Sequence, residues 1–281
     1  MTSRKSLRLD EIGYWSEIKL EIIKDYAQAY SQIMSSEKQQ RFTHVYIDGF
    51  AGPGVHISET TGALVEGSPL NALQIHPPFR EFHLIDLDGD KITTLKKVVG
   101  ARPDVFIYHG DANRILLEQV FPRVHYEDFR RGLCLLDPYG LHLDWAVMEA
   151  AGRLMTIDLF LNFPIMDMNM NALWSKPEKV SADQSGRMDA FWGDHSWRDA
   201  AYEKQETLFG PKEEKAGNEA VVFAFRERLK KVAQFKNVPE PLPMRNSKGA
   251  VVYYLFFASQ KPVAKDIVQH IFRKYKLRGR I

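Results

Sequence analysis

Residues 46–54 read YIDGFAGPG. The run THVYIDGF at 43–50 leans apolar up to Ile47, and Asp48, Gly49, Gly52 and Gly54 follow. This is the layout of a strand that enters a glycine loop, where backbone N–H groups approach a ligand that side chains would block. A phosphate loop of the GxxxxGK[ST] type needs a lysine after its glycines, and none follows Gly54. The dinucleotide pattern GxGxxG needs a third glycine where this chain has Ile57. Asp48 beside a pyrophosphate would also set like charge against like. A cationic ligand reverses that objection. S-Adenosylmethionine carries a sulfonium and an ammonium, so Asp48 suits it, and Gly49, Phe50, Gly52 and Gly54 leave room for its methionyl part.

Around this loop the chain repeats one rhythm. Short apolar runs close on polar or turn-forming residues at 43–50, 80–88 (REFHLIDLD), 104–111 (DVFIYHGD), 132–140 (GLCLLDPYG) and 156–164 (TIDLFLNFP). Helix-compatible segments lie between them at 68–75, 89–100, 112–121 and 143–152. Strand alternating with helix argues an α/β fold with a parallel sheet covered on both faces. An amphipathic leading helix is expected over 14–34, with Trp15, Ile18, Ile22, Tyr26, Ala29 and Ile33 at helical spacing. Residues 55–66 (VHISETTGALVE) read as a long loop before a helix that Ser68 caps and Pro69 opens. Residues 165–216, rich in Met, Asn, Trp and charge, read as an inserted helical lid. A helix over 218–235, a hairpin from 241–246 to 250–259 and a last helix over about 262–275 complete the chain. Five βα units, a helix and a hairpin are what a seven-stranded sheet with one reversed strand needs. The whole chain, 1–281, is expected to form one domain.

Ligands of open α/β sheets bind at the carboxyl ends of the strands. Asp86 ends the second strand, placed for ribose hydroxyls, with Asp88 as a substitute; Asp111 follows the third, placed for an adenine amino group. Helix N-capping explains each acid singly, though less readily three in succession. The fourth strand ends in Asp137, Pro138, Tyr139 and Gly140, close to the [DN]-P-P-[YFW] with which enzymes methylate exocyclic amino groups. There an acid or amide and a carbonyl accept the N–H bonds while the aromatic ring stacks on the base. DPYG, with the second proline missing, looks more like the DPFG of tRNA guanine-N2 dimethyltransferases, and it is also a good turn sequence. Asn162, Phe163 and Pro164 at the fifth strand end are candidates for the same substrate cleft.

Composition narrows the rest. A 44% apolar and 26% charged chain with net charge +2 is of the soluble globular kind. Seven Lys or Arg against one acid from Lys261 onward make a basic end that suits either phosphates or solvent. One cysteine, Cys134 in an apolar run, permits no internal disulfide and no cysteine-held metal. The nine histidines show no paired metal spacing, so no metal site is expected. The N-terminus lacks the apolar core of a signal peptide, and VVYYLFFA is too short to span a bilayer, so a cytoplasmic location is expected. The tryptophans and Met166, Met168 and Met170 of the insertion suit a base platform or a small core of their own.

The leading-helix stretch WSEIKLEIIKDYAQAY, with YIDGFAGPG, EGSPLNAL, HLIDLD, GDAN, LLDPYG, LFLNFP and VVYYLFFASQKP, resembles the three-Cys-motif partner (TcmP) family. The pieces span most of the chain. The resemblance implies a Rossmann-like class I methyltransferase sheet, mostly parallel with a terminal antiparallel hairpin. It also implies a partner protein bearing the three-cysteine motif, of radical S-adenosylmethionine type, in a mobile-element or phage-defence setting. Two functions follow as expectations. One is S-adenosylmethionine-dependent methyl transfer to a base nitrogen of DNA or RNA, with Asp137, Pro138 and Tyr139 ordering the acceptor. The other is a non-catalytic docking module that keeps the fold.

Overall fold

The computed structural model describes residues 9–36, 38, 41–207 and 210–278. A two-residue strand β1 (Glu11–Ile12) precedes the long helix α1 (Tyr14–Met34), which matches the expected leading helix in extent. The first expected strand is β2 (Thr43–Asp48). After the glycine loop, residues 55–66 form a hairpin, β3 (Val55–Ser58) and β4 (Leu64–Glu66), where a loop was expected. Val55 and Ile57 alternate with polar residues and meet β4 across a turn in which Gly62 has φ +70°, while β1 pairs alongside β3. The turn glycine and two short alternating runs suffice for a small ladder.

Helix α2 (Ser68–Leu73) returns the chain to the sheet, followed by β5 (Glu81–Asp86), α3 (Gly89–Val99) and β6 (Val105–His109). The helix expected over 112–121 is broken up: α4 (Ala112–Ile115) is a single turn, continued by a π-helical turn at Leu116–Val120. Then come β7 (Arg130–Leu136), α5 (Trp145–Leu154) and β8 (Ile157–Phe163). The insertion is not purely helical. Helices α6 (Ile165–Asn171), α7 (Ala182–Trp192) and α8 (Trp197–Ala201) are followed by a hairpin, β9 (Tyr202–Thr207) with β10 (Gly210–Lys215). Helix α9 (Asn218–Lys231), strands β11 (Leu242–Arg245) and β12 (Val251–Ala258), and helix α10 (Pro262–Arg278) end the described chain.

The main sheet has the order β6-β5-β2-β7-β8-β12-β11. Its first five strands are parallel, and β12 runs antiparallel to both β8 and β11. Numbered along the sheet's own strands, this is 3-2-1-4-5-7-6 with strand 7 reversed. That is the Rossmann-like class I methyltransferase topology. The order reverses between β2 and β7, so the ligand crevice of such a sheet opens where those two strands end.

Strand alternation builds a core on each face. Val45, Ile47, Cys134, Leu136, Leu159, Leu161, Phe163 and Phe256 point to one layer, with α5, α7 and α9. Tyr46, Leu133, Leu135, Phe160, Leu255 and Phe257 point to the other, with α1, α2 and α10. The insertion joins the first of these. Trp192 and Trp197 are buried, and Trp192 and Phe191 pack on Phe225 of α9. They are core residues and present no base platform, because their side chains close the gap between α7 and α9. The basic end is likewise partly neutralised: Lys274 pairs with Asp25 at 2.7 Å and Arg278 with Glu21 at 3.0 Å, which fastens α10 to α1. Among the described residues no helix is long and apolar enough to cross a membrane.

Candidate functional site

A cavity of about 610 Å³ opens at the carboxyl ends of β2, β7 and β8, where the strand order reverses. The loop after β2 contributes Phe50 and Gly52, the loop after β7 contributes Asp137, Pro138, Tyr139 and Gly140, and β8 contributes Asn162 with Pro164 just beyond it. Residues 10–12, helix α1, β12, His56, Ser68 and, from α6 of the insertion, Met166, Asp167 and Met170 form its other walls. All three residues expected to order an acceptor therefore share one space with the front of the glycine loop.

Asp137 is the centre of that space, with its side chain 28% exposed. One carboxylate oxygen accepts a hydrogen bond from Asn162 Nδ2 at 2.7 Å, and the other is paired with the Lys19 ammonium. Lys19 is itself almost fully buried on α1. Burial opposes its charge, but Asp137, then Tyr253 and Asp48, outweigh that cost and hold the ammonium pKa above its ordinary value. The Asn162 amide turns its NH₂ to the carboxylate, the orientation in which unlike partial charges meet. Its Oδ1 is thereby left buried without a hydrogen-bond partner. Beside a carboxylate that keeps further acceptor capacity stands a second, unused acceptor.

The fifth-strand candidates separate by strand period. Asn162 and Pro164 line the cavity, whereas Phe163 points to the opposite face and packs on Phe191, Phe225 and Phe256. Phe163 is a core residue and no part of the substrate cleft, because successive strand side chains alternate faces.

Among the glycine-loop residues, Asp48 is completely buried and outside the cavity lining. It accepts Ser68 Oγ–H at 2.6 Å and the Phe50 N–H at 3.2 Å. Burial pushes its pKa up to about 7, against the pull of these donors. Asp48 thus ties the end of β2 to the start of α2, and Ser68, its partner, is the one that reaches the cavity wall. The hairpin between them is an excursion closed at its base, where Gly67 N–H donates to the Gly54 carbonyl at 2.8 Å. Gly49 lies against Leu136, where a Cβ would come within 2.9 Å of that side chain. Gly54, at φ +82°, would press a Cβ to 2.9 Å from Leu95 of α3. Those two glycines serve packing. Gly52, at φ +63°, would set a Cβ in ordinary contact with His56 Cε1 at 3.9 Å, and it faces the cavity.

Asp86 ends β5 nearly buried, with each oxygen accepting one backbone N–H, from Gly52 and from Asp88, both at 2.8 Å. Ala51 N–H also donates to the Ile85 carbonyl at 2.8 Å, so the glycine loop is drawn over the end of β5. Capping falls to other acids. Asp88 caps α3 through Asp90 and Lys91 N–H, and Asp111 caps α4 through Arg114 N–H at 2.9 Å. Neither Asp86 nor Asp111 lines the cavity. Leu87, between Asp86 and Asp88, is a large exposed apolar residue beside them.

At the rim, the Tyr139 ring is 64% exposed. Lys91 donates to its hydroxyl at 2.6 Å and to Asp10 at 2.7 Å, which fastens residues 9–12 across the opening. His56, from β3, also lines the cavity; burial lowers its pKa, and its Nδ1 lacks a partner. Sequence reading missed Lys19, His56, Lys91 and Asp10. Lys19 carried a signal, since it stands four residues after Trp15 and seven before Tyr26, within the apolar stripe of α1. The other three carried none.

No family model and no curated protein matches the sequence. Solved structures do share the fold. Protein LPL1258 from Legionella pneumophila (family model DUF519) superposes with a TM-score of 0.54 at 13% identity, over 92% of this chain and 91% of its own. A putative methyltransferase from Thermobifida fusca matches at a TM-score of 0.42 and 12% identity, over 87% of this chain and 80% of its own. A putative S-adenosylmethionine-dependent methyltransferase from Listeria monocytogenes matches at 0.41 and 10%, over 84% and 98%.

Proposed function

We infer that the chain binds S-adenosylmethionine and catalyses methylation of an exocyclic amino nitrogen of a nucleic acid base. The observation that carries this reading is the pair of acceptors at the cavity floor, the Asp137 carboxylate and the unpartnered Oδ1 of Asn162. An amino group offers two N–H donors, and two adjacent acceptors engage both. Held so, its lone pair has one direction left, and alignment is what a displacement at an activated methyl needs most. Asp137 and Tyr139 then recognise the base, the carboxylate at its edge and the exposed ring against its face. Lys19 and Asn162 hold the carboxylate in place, and Pro138 and Gly140 shape the turn that presents it.

The residues present fit the cofactor. Gly52 brings side-chain-free backbone to the cavity wall, Asp86 keeps one acceptor site on each oxygen for hydroxyls, and Leu87 gives an exposed apolar surface beside it. Phe50, Gly52 and Ser68 would hold the methionyl end and Asp86 the ribose, with Asp111 beyond it on the adenine side. When bound, the group supplies a methyl carbon already activated by a sulfonium. Asp48 acts on it only through Ser68. A three-cysteine-motif partner protein belongs to this reading through the sequence resemblance alone, and co-purification of the two proteins tests it.

The test of the activity is twofold. Calorimetric titration with S-adenosylmethionine is expected to show micromolar binding that Asp86→Ala weakens. Labelled cofactor with RNA and DNA acceptors is then expected to place the methyl on a base amino group. A folded, cofactor-binding protein that labels neither DNA nor RNA sinks the acceptor assignment. Absence of any cofactor binding sinks the whole reading.

A further inference from the structure

The amino ends of the strands enclose a second cavity, of about 460 Å³, bounded by the start of β7, the end of α1 and the start of α10. It lies a strand length, about 20 Å, from the cavity at the carboxyl ends. Its volume falls within the usual range of small-molecule sites. Its lining has an unusual charge balance. Lys38, Arg41, Arg131 and Lys261 contribute four cations, and none of them forms an ion pair among the described residues. Among the described residues Asp158 is the one acid of the lining. Its oxygens are taken by Tyr26 Oη at 2.7 Å and Ser259 Oγ at 2.5 Å, and burial raises its pKa.

The two arginines are built into a stack. The Arg131 guanidinium lies 4.4 Å from the Tyr126 ring centre and 4.5 Å from that of Phe42. Arg41 lies 5.2 Å from Phe42 and 4.9 Å from Phe129. Tyr126, Arg131, Phe42, Arg41 and Phe129 thus alternate ring and cation, and the stack fixes the guanidinium planes. Two like charges are held side by side, and neither is paired with a carboxylate among the described residues. That arrangement suits an anion that bonds both.

Two further features point the same way. Gln260 lines the cavity with its Nε2 donating to the Gly152 and Gln234 carbonyls, and its Oε1 is buried without a partner. An acceptor so placed asks for a ligand N–H or O–H. Phe129 and Met155, the latter in the lining, are exposed bulky residues held at φ 54° and 56°, in the left-handed region. Met155 takes this conformation as the left-handed cap of α5, which presents its exposed side chain to the cavity.

We propose that this cavity is a second ligand site, for a phosphorylated planar ring of nucleoside monophosphate type. Arg41 and Arg131 bind the phosphate, the lysines add charge at the mouth, Phe42 and Tyr30 face the ring, and Gln260 Oε1 accepts from it. Nothing in this assignment depends on the activity inferred for the other cavity.

Calorimetric titration of the full chain with the four common nucleoside monophosphates tests it, with the bare nucleosides and inorganic phosphate as controls. At least one nucleotide is expected to bind about tenfold or more tightly than its nucleoside or than phosphate. Arg131→Ala is expected to weaken it by about tenfold or more, and Arg131→Lys, which keeps the charge and loses the planar stack, by less. Arg41 is on the surface, so Arg41→Ala preserves the fold and should weaken binding likewise. Asp137→Ala should leave it unchanged. The proposal fails if no nucleotide binds at millimolar concentration, or if Arg41→Ala binds as the parent does. It also fails if Asp137→Ala abolishes binding, which would locate the nucleotide in the first cavity.

Discussion

The cavities at the two ends of one sheet treat charge in opposite ways. At the carboxyl ends, acids and lysines are matched: Lys19 with Asp137, Lys91 with Asp10. In the amino-end cavity, Arg41 and Arg131 stack on rings and form no ion pair among the described residues. A matched pair holds a functional group in one orientation and leaves little net charge to attract a ligand. An unmatched cation keeps its field. The carboxyl-end cavity is therefore suited to orienting a neutral acceptor, and the amino-end cavity to capturing an anion.

The largest effect is expected where the matched end is broken at its centre. Asp137→Ala should reduce methyl transfer by about 10²-fold or more while cofactor affinity is kept. Binding and turnover measured on the same preparation separate the two. At the amino end the corresponding break is one of packing. Gly152 of α5 lies so close to the 233–235 segment that a Cβ would stand 1.7 Å from the Ala233 carbonyl oxygen. Gly152→Ala should cost about 3 kcal/mol, seen as a fall in Tm on the order of 10 °C. An unchanged Tm would mean that the segment yields.

Lys19→Met comes next. It leaves Asp137 with one of its two holders, so kcat should fall by roughly tenfold or more with the cofactor affinity little changed. Partial rescue by Lys19→Arg would mark Lys19 as a positioning residue, whereas equal loss in both variants would mark a packing defect.

Acid and base titrations then sharpen the contrast between buried groups. The Asp48 pKa is raised to about 7, so its folded-state advantage is present at low pH and disappears as pH rises from about 4 to 7. His44 and His83 are lowered to about 4 by burial, so their contribution is present above about 6.5 and is lost as pH falls towards 4. The two effects oppose one another across that window. Asp48→Asn removes the first, and its stability should fall more steeply on acidification than that of the parent, by roughly 2–4 kcal/mol between pH 8 and 4. Parallel curves would mean that Asp48 titrates at its ordinary value. The smallest effect belongs to Tyr139, whose hydroxyl is held by Lys91 outside the acceptor pair. Tyr139→Phe should change turnover by about threefold at most, and Tyr139→Ala, which removes the stacking ring, by about tenfold or more.

Much of this molecule was legible in its residue order. The strands β2, β5, β6 and β8 fall within the apolar runs, β7 overlaps its run but starts two residues earlier at Arg130, and the hairpin of β11 and β12 lies within its expected range, because burial on two faces leaves a continuous apolar signature. The acids at the strand ends were legible as acids. Their division of labour was not: Asp86 braces the glycine loop, Asp88 and Asp111 cap helices, and Asp48 ties down α2 through Ser68. Each use is a local hydrogen bond open to any carboxylate in that place. Phe163 could have been separated from Asn162 and Pro164 by strand period alone. Trp192 and Trp197 could not be separated from a ligand platform, since an aromatic residue looks the same in a core and at a mouth.

The order of residues by itself determined the strands of the main sheet, the reversal of its last strand, and the presence of DPYG at the end of the fourth main strand, though not the hairpins of 55–66 and 202–215. Alternation, capping and turn chemistry act over a few residues and need no distant partner. Tertiary structure alone decided which groups meet. Lys19 reaches Asp137 across 118 positions, and Asn162 Oδ1 is left free because its amide must face that same carboxylate. The two arginines lie across one ring only because β2 and β7 start side by side. Such meetings depend on how distant segments pack, and no local pattern encodes them.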